Sequence, residues 1–351
     1  GAPSVRASAL VALRAFGATH MEEVLRPVVP VLAALVAEDP DAEVTMHAIY
    51  LLGDFDGEVK HTPQLVAAIV CRLGDEEFLA NSAAANFICD VLASPERSLV
   101  LAGVPKIMQY LSAVTDWQDI NDRQPRYDDR VRLCVSLSDA CTREGRMFGP
   151  QVVAESLIEA ISKEAESLMA ILNAVDRHYH CRFAEHCLLL VAKVLPHIGA
   201  EHAELIVRFL FREDRDVFEV AAAILDRNAV AWPLQISLAP RTRDDWGRLL
   251  RNLGDCNVSA VVGDMAMHAL HQAVDSSFLE EHAEAIVKLG SQLSSCSGVA
   301  EVAVDLLMQL SPRVLEPFAD ALVNTLVSWR MPGIGASQSK FARCLRAMDV
   351  E

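Results

Sequence analysis

The sequence predicts an all-α fold, a right-handed α-solenoid of about eight to nine stacked helix pairs. Two repeated patterns support this prediction. The segment 201–207 (EHAELIV) returns at 281–287 as EHAEAIV. A shorter echo is shifted by 39 residues: it aligns Val5, Ala9, Leu10 and Leu13 with Val44, Ala48, Ile49 and Leu52. A period of about 40 residues matches one helix pair, which buries its apolar face only by stacking on its neighbours.

The individual helices are predicted from apolar residues at helical spacing and from the Gly and Pro residues that end them. Gly17 is expected to end the first helix, and Thr62 and Asp41 are expected to cap later ones. No alternating strand pattern of useful length appears. The predicted helices span 4–16, 22–37, 41–52, 63–73, 78–92, 105–114, 130–142, 150–161, 164–175, 181–195, 202–211, 217–226, 244–253, 259–273, 279–293, 299–310, 314–329 and 340–347.

The chain is predicted to be one continuous solenoid over residues 1–351, cut from a longer chain, with irregular insertions near 115–129 and 228–243. The first insertion is rich in Asp, Asn, Gln and Pro and is longer than a typical helix–helix connection. The second holds Trp232, Pro233 and Pro240. Inward positions are predicted as well. The first helix should bury one face, and Leu10, Ala48 and Leu225 should lie between layers. The residues of that first face are Val5, Ala9, Leu10, Leu13 and Phe16.

The charge, the length of the apolar runs and the cysteine spacing limit which partners and compartments are expected for this protein. The net charge is -17, from 48 acidic and 31 basic residues, which disfavours direct binding to nucleic acid and favours proteins with basic segments. The alternative is that acidity only keeps a large helical surface in solution. No apolar run reaches the length of a membrane span. The nine cysteines are odd in number and have no paired spacing, so they predict reduced thiols in the cytoplasm or nucleus. Four are expected to be buried, namely Cys71, Cys89, Cys134 and Cys187.

Three segments resemble HEAT and armadillo repeats. Pro3–Arg6, followed by Ala9 and Leu10, is similar to the second helix of a HEAT repeat, as is the segment that begins at Asp216. Asn86, followed by Gly103-Val104-Pro105, resembles an armadillo repeat. The armadillo import adaptors carry Trp four residues before this Asn, where the present chain has Ser82. Peptide recognition by a Trp and Asn ladder is therefore not expected.

The middle of the chain also resembles importin-β transport receptors, most closely the branch that carries Arg/Ser-rich proteins. The resemblance rests on Ala83-Ala84 with Ile88-Cys89-Asp90, and on Leu133-Cys134 with Met147-Phe148. It implies an acidic inner surface, basic cargo and a Ran-type GTPase as regulator.

No residue set predicts catalysis, a cofactor or a metal site. The densest cluster is His178-Tyr179-His180-Cys181 with His186 and Cys187, but it lacks the ligand pairs of zinc sites. The pairs Glu201-His202 and Glu281-His282 reverse the His-Glu order of the di-iron HEAT-repeat hydroxylases, and each glutamate is expected to favour a helix start. Phosphate-loop and nucleophile-elbow motifs are absent from the sequence.

The predicted partner-binding site is the first irregular segment, where aromatic residues stand among acids and suit Lys or Arg ligands. The alternative is an ordinary solvated insertion. At the level of function, the alternatives to a transport receptor are a scaffold subunit of a stable assembly and, more remotely, a HEAT-repeat metalloenzyme. The predicted site residues are Asp116, Trp117, Asp119, Asp122, Tyr127, Asp128 and Asp129.

Overall fold

The computed structural model describes residues 2–54, 62–74, 78–113, 125–142, 151–177, 181–195, 200–228, 242–255, 270, 275–292, 303 and 305–328. All regular secondary structure in these ranges is helical, which confirms the all-α prediction. None of the described helices combines the length and the apolarity needed to cross a bilayer. The chain divides into two compact units, Gly1–Pro196 and His197–Glu351.

The first unit contains ten described α-helices and two 3-10 segments. The helices are α1 (Pro3–Leu25), α2 (Val29–Glu38), α3 (Ala42–Gly53), α4 (Pro63–Cys71), α5 (Phe78–Ala93), α6 (Val104–Ser112), α7 (Pro125–Thr142), α8 (Gln151–Ser162), α9 (Ala165–Arg177) and α10 (Cys181–Val194). The 3-10 segments are η1 (Arg26–Val28) and η2 (Arg97–Gly103).

These helices form two layers. In one layer α1, α3, α5, α7 and α10 pack in succession, each against the next. In the other, α2 packs on α4, α4 on η2 and α6, and α6 on α8 and α9. The core lies between the layers and between neighbouring helices of each layer. Small residues such as Ala83 and Ala84 of α5 allow close helix approach there, and both are buried.

The predicted caps explain where two helices begin. The Asp41 side chain accepts a hydrogen bond from the backbone N–H of Val44, and the Thr62 hydroxyl accepts one from Leu65. Each satisfies a backbone donor that the first turn leaves without a partner. Pro63 follows Thr62 at the first helical position, where its missing N–H carries no penalty.

Side-chain hydrogen bonds connect residues that are about one repeat apart in the sequence. Arg6 donates to both carboxylate oxygens of Asp39 at 2.8 Å, and Arg72 donates to the Asp39 carbonyl at 3.0 Å. In the second unit Asn252 donates to the carbonyl of Arg212 at 2.7 Å. The partners in these pairs are 33 and 40 residues apart, so each bond ties a helix to the preceding repeat.

The second unit contains α11 (Ala200–Phe209), α12 (Arg215–Asn228), α13 (Arg243–Asp255), α14 (Ser276–Glu281), α15 (Ala283–Gln292), α16 (Pro312–Leu315) and α17 (Ala319–Ser328), with a 3-10 segment η3 at Glu316–Phe318. Helix α12 packs on α11 and α13, α13 packs on α15, and α15 packs on α17. The stacking pattern of the first unit therefore recurs here.

Several inward positions are confirmed. Leu10, Ala48 and Leu225 are buried, as are three of the four cysteines, Cys89, Cys134 and Cys187. Cys71 is exposed, because it is the last residue of α4 and its side chain lies on the outward side of that helix.

The predicted buried face of the first helix is wrong at three of its five residues. Val5 is 63 % exposed and Phe16 is 61 % exposed, and Ala9 is exposed as well. The equivalents of Val5 and Ala9 in α3, Val44 and Ala48, are completely buried. Helix α3 packs between α1 and α5, and its buried flank faces α1. The same flank of α1 is not covered by any part of the chain that the structure describes.

Two boundaries also differ from the prediction. Gly17 does not end the first helix, which continues to Leu25, because one glycine within a helix costs only about 1 kcal/mol. The break comes at η1, where Pro27 and Pro30 lack the N–H that a helix interior requires. Helix α7 begins at Pro125 rather than at Arg130, so the end of the segment 115–129 is helical. The interior of the segment 228–243 lies outside the described residues.

The number of helix pairs, the handedness and the continuity of the solenoid over residues 1–351 stay predictions.

Candidate functional site

The first layer of the first unit presents a continuous outer surface. Neighbours cover two sides of α3, α5 and α7, and the second layer covers a third side, so the exposed and half-exposed residues mark the fourth. We call this surface the stacked face. It comprises Ser4, Ser8, Val11, Ala12 and Ala15 of α1, Glu43, His47, Tyr50 and Asp54 at α3, Ser82, Asn86 and Asp90 of α5, Arg132, Ser136 and Asp139 of α7, and Arg182, Glu185, His186 and Lys193 of α10.

A groove opens on the stacked face between α1 and α3. Its volume is about 370 Å³, and small residues of α1 line one wall while Glu43 and His47 line the other. The Glu43 side chain is 62 % exposed, and its Oε1 lies 3.9 Å from Nε2 of His47. That separation exceeds a hydrogen bond, so the carboxylate keeps its capacity to accept bonds from a ligand.

The second carboxylate of this region is already paired. Asp54 accepts two hydrogen bonds from the Arg14 guanidinium, which also lies over the Tyr50 ring, 5.4 Å from its centroid. The hydrogen bond with Asp54 raises the pKa of Arg14 above its ordinary value. Arg14, Tyr50 and Asp54 thus form a side-chain contact between consecutive repeats, and we call this kind of arginine, aromatic and carboxylate contact a latch.

Half-buried polar groups continue the stacked face toward α10. Among the described residues, Asn86 Oδ1 and His186 Nδ1 are buried atoms that accept or donate no hydrogen bond. Leaving a buried polar atom unsatisfied costs about 1–3 kcal/mol. Both atoms lie beneath the surface, so they show that the packing under this face is partly polar and are not themselves contacts for a partner.

The cysteine thiols buried beneath the stacked face are unsuited to act as nucleophiles or metal ligands. Cys134 Sγ and Cys187 Sγ lie 3.5 Å apart on α7 and α10, and burial raises the pKa of the Cys187 thiol well above its ordinary value. Burial also raises the pKa of Cys141 to about 12. Nucleophiles and metal ligands need the thiolate, so these cysteines act as small apolar core residues.

The second unit has its own latch around Arg243. Its guanidinium donates to Ser277 Oγ at 2.9 Å and to Glu281 at 3.2 Å, and it lies 5.6 Å from the centroid of the Phe278 ring. The arrangement of arginine, aromatic ring and carboxylate is the same as in the Arg14 latch. It ties α13 to α14.

His282 lies beside this latch and packs against α13. Its ring is 4.3 Å from that of Phe278, and a Cβ on Gly247 would come within 3.0 Å of its Nε2. Burial lowers the pKa of His282, and the positive charges of Arg251 and Arg243 act in the same direction, while Glu281 opposes them.

The predicted partner-binding residues lie mostly outside the described ranges. Asp116, Trp117, Asp119 and Asp122 are not described, and Tyr127 and Asp128 lie in the first turn of α7, with only their backbone described. Asp129 is 6 % exposed, so we leave it out of any exposed surface. Beyond that residue, the segment stays a prediction.

Only part of each of the two metal candidates lies within the described residues. His178, His180 and the Cys181 side chain are outside the described residues, and Cys187 faces Cys134 in the core. Glu281 bonds Arg243 and ends α14, so it does not begin a helix as expected. The described residues contain no group of three or more potential metal ligands.

Reasoning from the sequence did not identify the stacked face. A signal was available, since α5 has polar residues at 82, 86 and 90 within an otherwise apolar helix. That spacing places Ser82, Asn86 and Asp90 on one side of the helix.

Comparisons with known proteins bear on the fold. Neither a protein-family model nor a curated protein matches the chain. A chain in a structure on the phosphorylation switch that controls the interaction between cadherin and beta-catenin is 13 % identical, with a TM-score of 0.50. The match covers 99 % of the present chain and 66 % of that chain.

Two further similar structures have lower TM-scores. A designed armadillo repeat protein is 13 % identical over 82 % of this chain and 100 % of its own, with a TM-score of 0.33. The karyopherin Kap121p, bound to Ste12p, is 12 % identical over 99 % of this chain and 44 % of its own, with a TM-score of 0.29. The chain therefore spans less than two thirds of the chain from the cadherin and beta-catenin study and less than half of Kap121p. The fold is an α-solenoid of the HEAT and armadillo type, as the sequence predicts.

Proposed function

We propose that this protein is a non-enzymatic protein-binding solenoid that uses the stacked face to hold a partner with basic segments. The observation that carries the proposal is the stacked face itself. It spans five packed helices and presents polar and charged side chains, among them the exposed acids Glu43 and Asp90. This proposed role does not require a catalytic site.

Charge supports a basic partner. The net charge of -17 attracts Lys/Arg-rich segments over long distances. The two ends of the stacked face differ in charge. Glu43 and Asp90 lie toward α3 and α5, whereas three basic residues, Arg132, Arg182 and Lys193, outnumber the acids Asp139 and Glu185 toward α7 and α10. A basic segment is therefore expected to bind at the α3 and α5 end.

In its finer form the proposal is a nuclear transport receptor of the importin-β type, with basic cargo and a Ran-type GTPase as regulator. The sequence resemblance described above supports this form. Such a receptor works in the cytoplasm and the nucleus, where the free thiols of Cys71, Cys89, Cys134, Cys141 and Cys187 would stay reduced.

A scaffold subunit of a stable assembly is the second candidate. One observation favours it: the flank of α1 that carries Val5 and Phe16 is apolar and exposed. Exposed apolar patches of this kind mark contacts between proteins. If the protein is such a scaffold, substitution of Val5 and Phe16 should disrupt the assembly, and binding between its subunits should not weaken at high salt.

The test is the binding of fluorescent Lys/Arg-rich peptides, measured by anisotropy at low and at high salt. We expect binding that weakens as salt screens the charges, and none for the matching Glu-rich peptide. Asp90→Lys should weaken binding several-fold. The control is Glu155→Lys, which makes the same charge change at an exposed position of α8. Equal binding of basic and acidic peptides, or equal effects of the two variants, contradicts the proposal.

A further inference from the structure

The groove between α1 and α3 exists because equivalent positions of two repeats carry side chains of different size. With the 39-residue offset, Ser4, Ser8, Val11 and Ala15 of α1 correspond to Glu43, His47, Tyr50 and Asp54 at α3. The backbones are equivalent, so the smaller side chains of α1 leave space beside the larger ones of α3. The result is the space of about 370 Å³ lined by residues of both helices.

The walls of the groove differ in chemistry. The α1 wall offers the methyl groups of Ala7, Val11, Ala12 and Ala15 and the hydroxyls of Ser4 and Ser8, whereas the α3 wall offers the Glu43 carboxylate and the His47 imidazole. An occupant must therefore be apolar along its length and positively charged at its tip. Lysine has this form, with an aliphatic stem that lies on apolar surface and an ammonium group that reaches a polar partner.

Glu43 is available to bind that ammonium group. Asp54, the other acid of α3, is held by Arg14, and Asp39 is held by Arg6. Within the described part of the chain, the charged or titratable contact of Glu43 is His47 at 3.9 Å. An ammonium group at hydrogen-bond distance would give the carboxylate a stronger contact.

We infer that this groove binds a lysine side chain from a basic segment of a partner protein. The inference rests on the proposed function and adds to it the residue type that is recognised and the place where it binds. The apolar wall contributes to affinity through the stem, and Glu43 selects the charge.

The experiment measures the affinity of one Lys-containing peptide and of three peptides altered only at that lysine. Norleucine keeps a four-carbon stem without charge, diaminopropionic acid keeps the charge on a short stem, and glutamate reverses the charge. We expect the lysine peptide to bind most tightly, the norleucine and diaminopropionic acid peptides to be weaker by about two- to fivefold each, and the glutamate peptide not to bind.

Two variants of the protein locate the site. Ala12→Trp fills the groove and should weaken the lysine peptide about tenfold or more, because its bulk excludes the occupant. Glu43→Gln should weaken it about two- to fivefold and should abolish the preference for lysine over norleucine. Ala34→Trp controls for an exposed tryptophan on α2, and Glu166→Gln controls for the loss of a first-turn glutamate, in α9. Thermal melts by circular dichroism show whether each variant is folded.

The outcomes separate this inference from the proposed function. If the wild-type protein binds lysine and glutamate peptides equally, the proposed function fails and the groove assignment fails with it. If the lysine peptide binds, but Ala12→Trp and Glu43→Gln bind it as their controls do, only the groove assignment is overturned. If norleucine binds as tightly as lysine and Ala12→Trp still blocks both, the groove takes an apolar side chain, and the assignment to lysine is wrong.

Discussion

Gly103→Ala tests the packing between repeats, because the structure allows its cost to be worked out from geometry. A Cβ at residue 103 would lie 2.8 Å from Cγ1 of Val70 and 2.9 Å from Cγ2, whereas carbon atoms in contact prefer about 3.5–4.0 Å. The Gly103 backbone has φ -92° and ψ -7°, which alanine adopts without strain. The whole effect is therefore steric.

Val70 cannot relieve this overlap. It is buried and β-branched, so rotation about χ1 moves only one of its two methyl groups away and leaves the other against the added Cβ. Overpacking of this kind costs about 1–3 kcal/mol. Val70→Ala alone should cost about 1.5–3 kcal/mol, from two lost methyl groups and the cavity that remains. The double variant removes the overlap, so it should be less destabilised than the sum of the two single variants by about 1 kcal/mol or more.

Urea unfolding, followed by far-ultraviolet circular dichroism, measures these free energies. Gly53→Ala is the matched control, because a Cβ there would meet nothing within 4 Å, and it should be neutral or stabilising by up to about 1 kcal/mol. The reasoning is refuted if Gly103→Ala is no more destabilising than Gly53→Ala, or if the costs of Gly103→Ala and Val70→Ala simply add.

The remaining predictions concern buried charge and the second unit. Asp39→Asn should lower the free energy of unfolding at neutral pH by about 1.5–3 kcal/mol, since it weakens the bonds from Arg6. Burial alone would raise the pKa of Asp39, but the Arg6 bonds keep it below its ordinary value. The difference in unfolding free energy between the wild type and Asp39→Asn should therefore vanish as pH falls through that lowered pKa. An acid titration of stability in which the difference persists contradicts this prediction. His282 has a lowered pKa, so the stability of the wild type should fall as pH drops through the ordinary histidine range, and His282→Gln should flatten that part of the curve; identical pH profiles would exclude this role. Leu225→Ala should cost about 2–5 kcal/mol in urea melts, and a change near zero would mean that α12 does not bury this face.

The helical spacing of apolar residues was sufficient to predict the α-solenoid fold and several of its buried residues. Leu10, Ala48 and Leu225 lie at inward positions of their helical patterns, and the structure places all three in the core. Caps were predictable for a similar reason. Asp41 and Thr62 act through bonds to residues three positions away, which local sequence records directly.

The positions that neighbouring helices cover could not be predicted from a local sequence pattern. Val5 and Val44 occupy equivalent positions, yet one is exposed and the other is buried, because exposure depends on whether another helix lies alongside. The course of α1 past Gly17 has a related cause. The cost of one glycine is small, and the tertiary contacts of α1 with α3 outweigh it.

The surface that binds a partner is the part of a solenoid that a search for repeats cannot find. Inward positions recur because packing constrains them, whereas outward positions are free to differ without cost to the fold. Ser4 and Glu43 are equivalent in backbone and different in chemistry. That difference creates both the space of the groove and its charge. A comparison of outward residues between equivalent positions, rather than of inward ones, is therefore the way to locate recognition sites on this fold, and it is the reason to begin mutagenesis at Ala12 and Glu43.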